Sequence, residues 1–102
     1  MIKEKFDLTN KVAVITGASK GIGKAMALGL AEFGAIIVVS SRKQEAVDQV
    51  AEEFTKLGFS ASGIECHVAK KDDRLKLVEK VIKEYGRIDI LINNAGTNPY
   101  FG

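Results

Sequence analysis

Short apolar runs alternate with longer amphipathic stretches along the chain, and this alternation constrains the fold more than any other feature. The four apolar runs lie at 11–16, 35–39, 60–68 and 88–92. The three stretches between them each end at a glycine, at Gly34, Gly58 and Gly86. Glycine commonly ends a helix because it adopts the left-handed backbone conformation without strain. The resulting order β-α-β-α-β-α-β predicts an α/β layered domain of parallel strands joined by right-handed crossovers.

Helical spacing of the larger apolar residues predicts which face of each helix is buried. For a first helix at about 21–33 and a second at about 44–57, the residues at this spacing are Ile22, Met26, Leu30, Phe33, Val47, Val50, Phe54 and Leu57. A third helix begins near Asp72 and Asp73, and its core-facing residues are Leu75, Val78, Ile82 and Tyr85. The third apolar run is weak and alternating, which predicts an edge strand.

Composition narrows the class of protein. The chain has 102 residues, a net charge of +2 and 46% hydrophobic residues, which predicts one domain over 1–102 and excludes a disordered tail. The small, dispersed positive excess predicts no nucleic-acid partner. The apolar runs are far shorter than the roughly 20 residues of a membrane span. A single cysteine, Cys66, and no apolar signal segment at the N-terminus predict a cytoplasmic location.

A glycine-rich segment, 16–23, lies between the first strand and the first helix and predicts a phosphate-binding loop. The chain must turn sharply there, which favours a residue without Cβ at Gly17 or Gly21. A side chain at Gly21 would keep a diphosphate away from the backbone, and a small Gly23 lets helix and strand pack closely. The amides around Ile22 and the helix dipole then favour an anion.

Two other glycine motifs do not fit this spacing. A P-loop has four residues between its glycines, whereas five separate Gly17 from Gly23, and Lys24 is followed by Ala25. The G-x-G-x-x-G fingerprint is absent as well. The alternative is that these glycines serve only the turn and the packing. We disfavour it because three glycines lie together at one strand-to-helix junction.

The spacing T-G-x-x-x-G-I-G, together with Asn93-Asn-Ala-Gly96 at the end of the fourth strand, resembles the short-chain dehydrogenase/reductase family. The resemblance runs from about residue 8 to residue 102, and 40–43 and 97–102 look most like the NADP-dependent carbonyl and retinol reductase branch. It implies a Rossmann-type parallel sheet with helices on both faces. Four strands in the order 3-2-1-4 are expected here, with the C-terminal part of the fold missing.

The resemblance also implies a nicotinamide cofactor, and the residues favour NADP(H). An NAD site usually has an acidic residue after the second strand, whereas this chain has Ser41 and Arg42. NADP-binding members carry basic residues at the positions of Lys20 and Arg42. The predicted cofactor-binding residues are Gly17, Ser19, Lys20, Gly21, Ile22, Gly23, Ser41, Arg42, His67, Val68, Asn94, Ala95 and Gly96.

His67 departs from the family pattern, which usually has an acidic residue there to contact the adenine amino group. Val68 can still pack on the ring. A metal site is not predicted, because no second histidine exists and Cys66 points to the opposite face of a strand. Cys66 is expected to be a small buried hydrophobe. Asn93 is expected to brace the sheet, while the resemblance places the backbone around Ala95 and Gly96 against the nicotinamide-side ribose.

The family's catalytic Ser, Asn and Tyr-x-x-x-Lys lie downstream of the second motif, so no catalytic residue is predicted in this chain. The expected function is the cofactor-binding half of an NADP(H)-dependent oxidoreductase acting on a carbonyl or alcohol, homo-oligomeric in its full-length form. An open fourth-strand edge predicts self-association of the 102 residues. Two alternatives remain, a non-catalytic nucleotide-binding module and an edge-strand interaction module. A flavodoxin-like FMN protein would not explain Lys20 and Arg42.

Overall fold

The computed structural model describes residues 7–94 of the chain. Seven elements follow one another in these residues: β1 (Val12–Thr16), α1 (Gly21–Glu32), β2 (Ile36–Ser41), α2 (Gln44–Lys56), β3 (Ala61–Glu65), α3 (Lys71–Tyr85) and β4 (Ile90–Asn93). The predicted alternation of strands and helices is confirmed. Observed and predicted boundaries differ by a few residues, as expected where helices and strands end gradually.

The four strands form one parallel sheet in the order β3-β2-β1-β4. Val14 of β1 lies beside Val38 of β2 on one side and Leu91 of β4 on the other. The predicted order 3-2-1-4 is confirmed, and β3 is an edge strand as expected. Because all strands run the same way, their carboxyl ends share one edge of the sheet, where α/β proteins commonly bind ligands.

Helices cover both faces of the sheet, as predicted. Side chains alternate along β1 and β2, so Ile15 and Ile37 face one side while Val14 and Val38 face the other. The first side packs against buried residues of α1 and α2, namely Ala27, Ala31, Val47, Val50, Ala51 and Phe54. The second side packs against α3 through Leu77 and Val81. β1 is buried along its whole length, as expected for a central parallel strand.

The predicted apolar face of α1 is wrong at Ile22, whose side chain is 74% exposed. The buried residues of this helix are instead Gly23, Ala27 and Ala31, spaced four residues apart. A Cβ built on Gly23 would lie 2.3 Å from the carbonyl oxygen of Gly17. Small residues therefore form the contact face of α1 because the helix lies so close to the loop and to the sheet.

The predicted inner face of α3 is wrong at three of its four residues, since Tyr85 alone packs against the core. Leu77 and Val81 are buried, whereas Leu75, Val78 and Ile82 are 50%, 41% and 44% exposed. α3 thus carries two apolar stripes, and the sheet formed by residues 7–94 covers only one of them. The predicted apolar face of α2 is wrong at Leu57, which lies at the C-cap and is 63% exposed.

Tyr85 of α3 is half-buried, and its hydroxyl is 2.9 Å from Oγ of Ser62 on β3. This contact ties the end of α3 to the edge strand. Within the described residues, no helix is both long enough and apolar enough to cross a membrane.

Candidate functional site

The loop between β1 and α1 turns through two glycines in the left-handed region, Gly17 and Gly21, each with φ of 62°. Residues with a Cβ are strained at such angles, so the sharp turn predicted from the sequence depends on these positions. Between them, the amide of Ala18 donates to the carbonyl oxygen of Ser40 at 3.0 Å. That hydrogen bond attaches the loop to the end of β2.

Asn94 holds the same loop from the other side. Its Nδ2 donates to the carbonyl oxygen of Gly17 at 3.1 Å, and a Cβ on Gly23 would lie only 2.7 Å from that nitrogen. The missing side chain of Gly23 therefore makes room for the contact. Asn94 is one of the residues predicted to bind the cofactor, and in the structure it positions the backbone of the loop.

Asn93, one residue earlier, braces the sheet as predicted. Oγ1 of Thr16 donates to its Oδ1 at 2.9 Å, which joins the carboxyl ends of β1 and β4. Asn93 itself is exposed at the end of β4.

The first turn of α1 has neither a side-chain cap nor an acidic residue. Lys20 occupies the N-cap position in an extended conformation, and its side chain makes no capping hydrogen bond. A Cβ built on Gly21 would find no atom within 4 Å, so the space in front of this turn is open. Unpaired amides and the positive end of the helix dipole make such a turn a binding place for an anion. The diphosphate of a dinucleotide fits these donors.

An open pocket of about 1090 Å³ lies beside this turn, along the carboxyl ends of β1, β2 and β3. Seven predicted cofactor-binding residues line it: Gly17, Ser19, Lys20, Ser41, Arg42, His67 and Val68. Four further lining residues are Lys43, Ala46, Cys66 and Ala69. Gly21, Ile22, Gly23 and Asn94 are not among the lining residues. Ala95 and Gly96 lie outside the described residues.

The charge of the pocket lining is positive. Lys20, Arg42 and Lys43 line it, and no carboxylate of the described residues does. None of these three side chains forms an ion pair with another residue in 7–94, whereas Lys24 pairs with Glu53 and Arg87 with Asp89. The pocket therefore presents three unneutralised cations, which favour a ligand with several negative charges.

The loop after β3 forms the opposite wall, and hydrogen bonds from α3 fix it. Oδ2 of Asp73 accepts from the amide of His67 at 3.0 Å, and Nη1 of Arg74 donates to the carbonyl oxygen of Val68 at 2.5 Å. Nδ1 of His67 is buried without a hydrogen-bond partner among the described residues. In 7–94 no three His, Cys, Asp or Glu side chains are grouped to hold a metal ion.

Cys66 is 1% exposed and packs in the core beneath α3, so the prediction of a small buried hydrophobe is confirmed. Burial raises the pKa of its thiol, and the nearby carboxylate of Asp73 adds to this effect. The thiol therefore stays protonated at neutral pH and is a poor nucleophile. Its contribution to the pocket is apolar surface.

A family model described as short chain dehydrogenase matches residues 11–101. The mouse (Mus musculus) protein "Dehydrogenase/reductase SDR family member 4" is 50% identical over 95 residues, which are 93% of this chain and 34% of that protein. The human (Homo sapiens) protein "Dehydrogenase/reductase SDR family member 2, mitochondrial" is 46% identical over 101 residues, which are 99% of this chain and 36% of that protein.

Solved structures of dehydrogenases also match this chain. A 2-keto-3-deoxy-D-gluconate dehydrogenase from Streptococcus agalactiae superposes with a TM-score of 0.84 and 45% identity, covering 95% of this chain and 36% of that one. A hydroxysteroid dehydrogenase from Escherichia coli has the same TM-score of 0.84 at 36% identity, covering 86% of this chain and 37% of that one. The chain thus spans about a third of the length of the relatives it matches.

Proposed function

The chain belongs to the short-chain dehydrogenase family, and from this premise we propose that it is the cofactor-binding part of an NADP(H)-dependent oxidoreductase acting on a carbonyl or alcohol. The observation that carries the proposal is the pocket with three cations that have no ion pair within 7–94, beside a helix that begins without a cap or an acid. The bound group would supply hydride transfer. The residues of this chain would bind that group and orient it.

Arg42, Lys43 and Lys20 are the residues proposed to distinguish NADP(H) from NAD(H). The two cofactors differ by one phosphate on the adenosine ribose, and a carboxylate at the end of the second strand typically selects the form without it. Within residues 7–94 no carboxylate lines this pocket, and Arg42 directly follows β2. Charge-assisted hydrogen bonds of about 1.5–3 kcal/mol each give at least a tenfold preference for the phosphorylated form.

The first turn of α1 is the proposed site of the diphosphate, which both cofactors share. Gly21 leaves open space in front of the turn, and the exposed Ile22 places no charge there. The amides of this turn would therefore donate to the diphosphate regardless of the ribose phosphate. The first turn of α1 and the pocket beside it would thus have separate roles, affinity at α1 and selectivity at Arg42.

We place no catalytic residue in this chain. Hydride transfer to a carbonyl needs a proton donor beside the oxygen, and the family motif for it lies downstream of Gly96. The solved relatives named for a 2-keto-3-deoxy sugar acid and a hydroxysteroid support a carbonyl or alcohol as the class of substrate.

The dissociation constants of NADPH and NADH, measured at one salt concentration, test the cofactor proposal. We expect NADPH to bind at least tenfold more tightly. Arg42→Ala should remove most of that preference by weakening NADPH alone, because NADH has no phosphate for Arg42 to contact. Lys56→Ala is the matched control, since it removes one positive charge from the far end of α2, outside the pocket lining. Equal affinities for the two cofactors, or tighter NADH, would refute NADP(H) selectivity.

Self-association through β4 is a second proposal. β4 is an edge strand in the described residues, and Leu91 on it is 59% exposed. Leu91 lies beside Val14, so it faces the same side of the sheet as α3, whose Leu75 is also exposed. An unpaired apolar edge favours pairing with another strand. Sedimentation of the chain at tens of micromolar should show dimers or larger species, and a clean monomer would contradict this proposal.

A further inference from the structure

The wall of the pocket around His67 differs in chemistry from the wall with the cations. Cys66, Val68 and Ala69 line it beside the histidine, and none of their side chains offers a hydrogen-bond acceptor of any strength. This apolar surface suits the flat face of a nucleotide base, once the phosphates lie against the cations and the first turn of α1. Among the described residues of this wall, His67 alone has a strongly polar side chain, its imidazole.

The imidazole presents a donor to the pocket. Its Nδ1 is buried and has no partner among the described residues. A hydrogen on Nδ1 would be a buried donor without an acceptor, which is unfavourable, so we assign the hydrogen of the neutral ring to Nε2. Nε2 is therefore the ring nitrogen available to a ligand, and as N–H it donates.

Other side-chain acceptors are scarce in the pocket. In the part of the chain that the structure describes, no carboxylate or carboxamide is among the lining residues. The hydroxyl of Ser41 lies 3.4 Å from both the amide and the carbonyl oxygen of Lys43, so the backbone already occupies it. Ser19 lies on the glycine loop and not on the His67 wall. The lining side chains thus mainly offer donors.

We propose that the base end of this pocket does not read the 6-amino group of adenine and accepts a 6-oxo purine as well. The proposal rests on the proposed function, because it concerns the base of the same dinucleotide. An amino group needs an acceptor, and the Nε2–H of His67 cannot provide one. A site discriminates strongly by hydrogen bonding only when a polar group of its own is left unpaired by the wrong ligand. Here the loss of the amino group leaves no side-chain acceptor of the described wall unpaired.

Titration of the full 102-residue chain with NADPH and with its hypoxanthine analogue, followed by nicotinamide fluorescence, tests the inference. We expect the two dissociation constants to agree within about threefold. Tighter binding of NADPH by tenfold or more would overturn the inference and leave the proposed function intact. Failure of both ligands to bind would refute the proposed function, and the inference with it.

Two variants sharpen the result. His67→Asp introduces an acceptor and should create a preference for NADPH of roughly tenfold over the hypoxanthine analogue. Val68→Ala is the matched control on the same wall, because it removes apolar contact without changing hydrogen bonding. It should weaken both ligands by the same factor. If His67→Asp leaves the ratio of the two dissociation constants unchanged, the role given to His67 is contradicted.

Discussion

Two helices, α1 and α3, begin at the same edge of the sheet. Their first turns both contain amides without a helical partner, but they differ in the charge placed beside those amides. Both have a lysine at the N-cap, Lys20 and Lys70, in an extended conformation without a side-chain capping bond. α3 carries Asp72 and Asp73 in its first turn, whereas α1 carries no acid. Because the caps are alike, the acids are the difference that matters.

The difference shows how one physical effect serves stability in one place and binding in another. The positive end of a helix dipole favours negative charge, and α3 provides that charge from its own sequence. Asp73 also accepts from the amide of His67, so the acid fixes the wall of the pocket. At α1 the corresponding charge is left for a ligand, and Gly21 keeps the approach open.

The largest effect is expected when α1 receives an acidic residue at the position where α3 has one. Ile22 is the second residue of α1, as Asp72 is of α3, and its side chain is exposed. Ile22→Asp should weaken NADPH and NADH alike by roughly tenfold or more, because the carboxylate occupies the amides and repels the diphosphate. Binding titrations of both cofactors measure this effect.

Ile22→Asn separates charge from shape in that experiment. It has nearly the size of the aspartate but no charge, so we expect cofactor affinity close to that of the unchanged chain. Equal losses in the Asp and Asn variants would show that the charge at this turn is irrelevant to binding. Arg42→Ala provides a second contrast, because it should weaken NADPH only.

The reverse change, Asp72→Asn, should have the smallest effect. Asp72 is exposed, and removing its charge should lower the free energy of unfolding by about 0.3–1 kcal/mol through the dipole of α3 alone. Cofactor affinity should stay unchanged, since Asp72 does not line the pocket. Urea unfolding and the NADPH titration measure the two quantities. A tenfold change in affinity would mean that the two helix starts are not independent.

The order of elements, the sheet and the glycine loop could be predicted from the sequence because each depends on local signals. Apolar runs separated by stretches of helical length leave few topologies, and Gly17 and Gly21 fall where the chain must turn. Lys43 could have been found as well. It immediately precedes a helix that follows β2, so it must lie at the carboxyl edge of the sheet.

The buried face of α3 could not be predicted in the same way. The set Leu75, Val78 and Ile82 and the set Leu77 and Val81 both have helical spacing. Which set is buried depends on where the helix lies across the sheet, a tertiary fact that periodicity does not contain. For α1 the error had another cause, because apolar size was taken as the sign of burial whereas close approach to the sheet requires Gly23.

Two features of the site depend on contacts that the glycine motif does not mark. Asn94 supports the carbonyl of Gly17 across 77 positions, and Asp73 holds the backbone at His67. The glycine motif marks the loop but does not indicate what holds it. The buried Nδ1 of His67 likewise depends on the packing around the ring and leaves no mark in the sequence.

A ¹⁵N NMR titration of the chain with NADPH tests the central claim, that α1 and not α3 binds the diphosphate. The amides of Gly17, Gly21, Ile22 and Gly23 should shift as the ligand saturates, while those of Lys71 and Asp72 in the first turn of α3 stay in place. Saturable binding with the amides of α1 unmoved, or with shifts as large at the start of α3, would contradict the account.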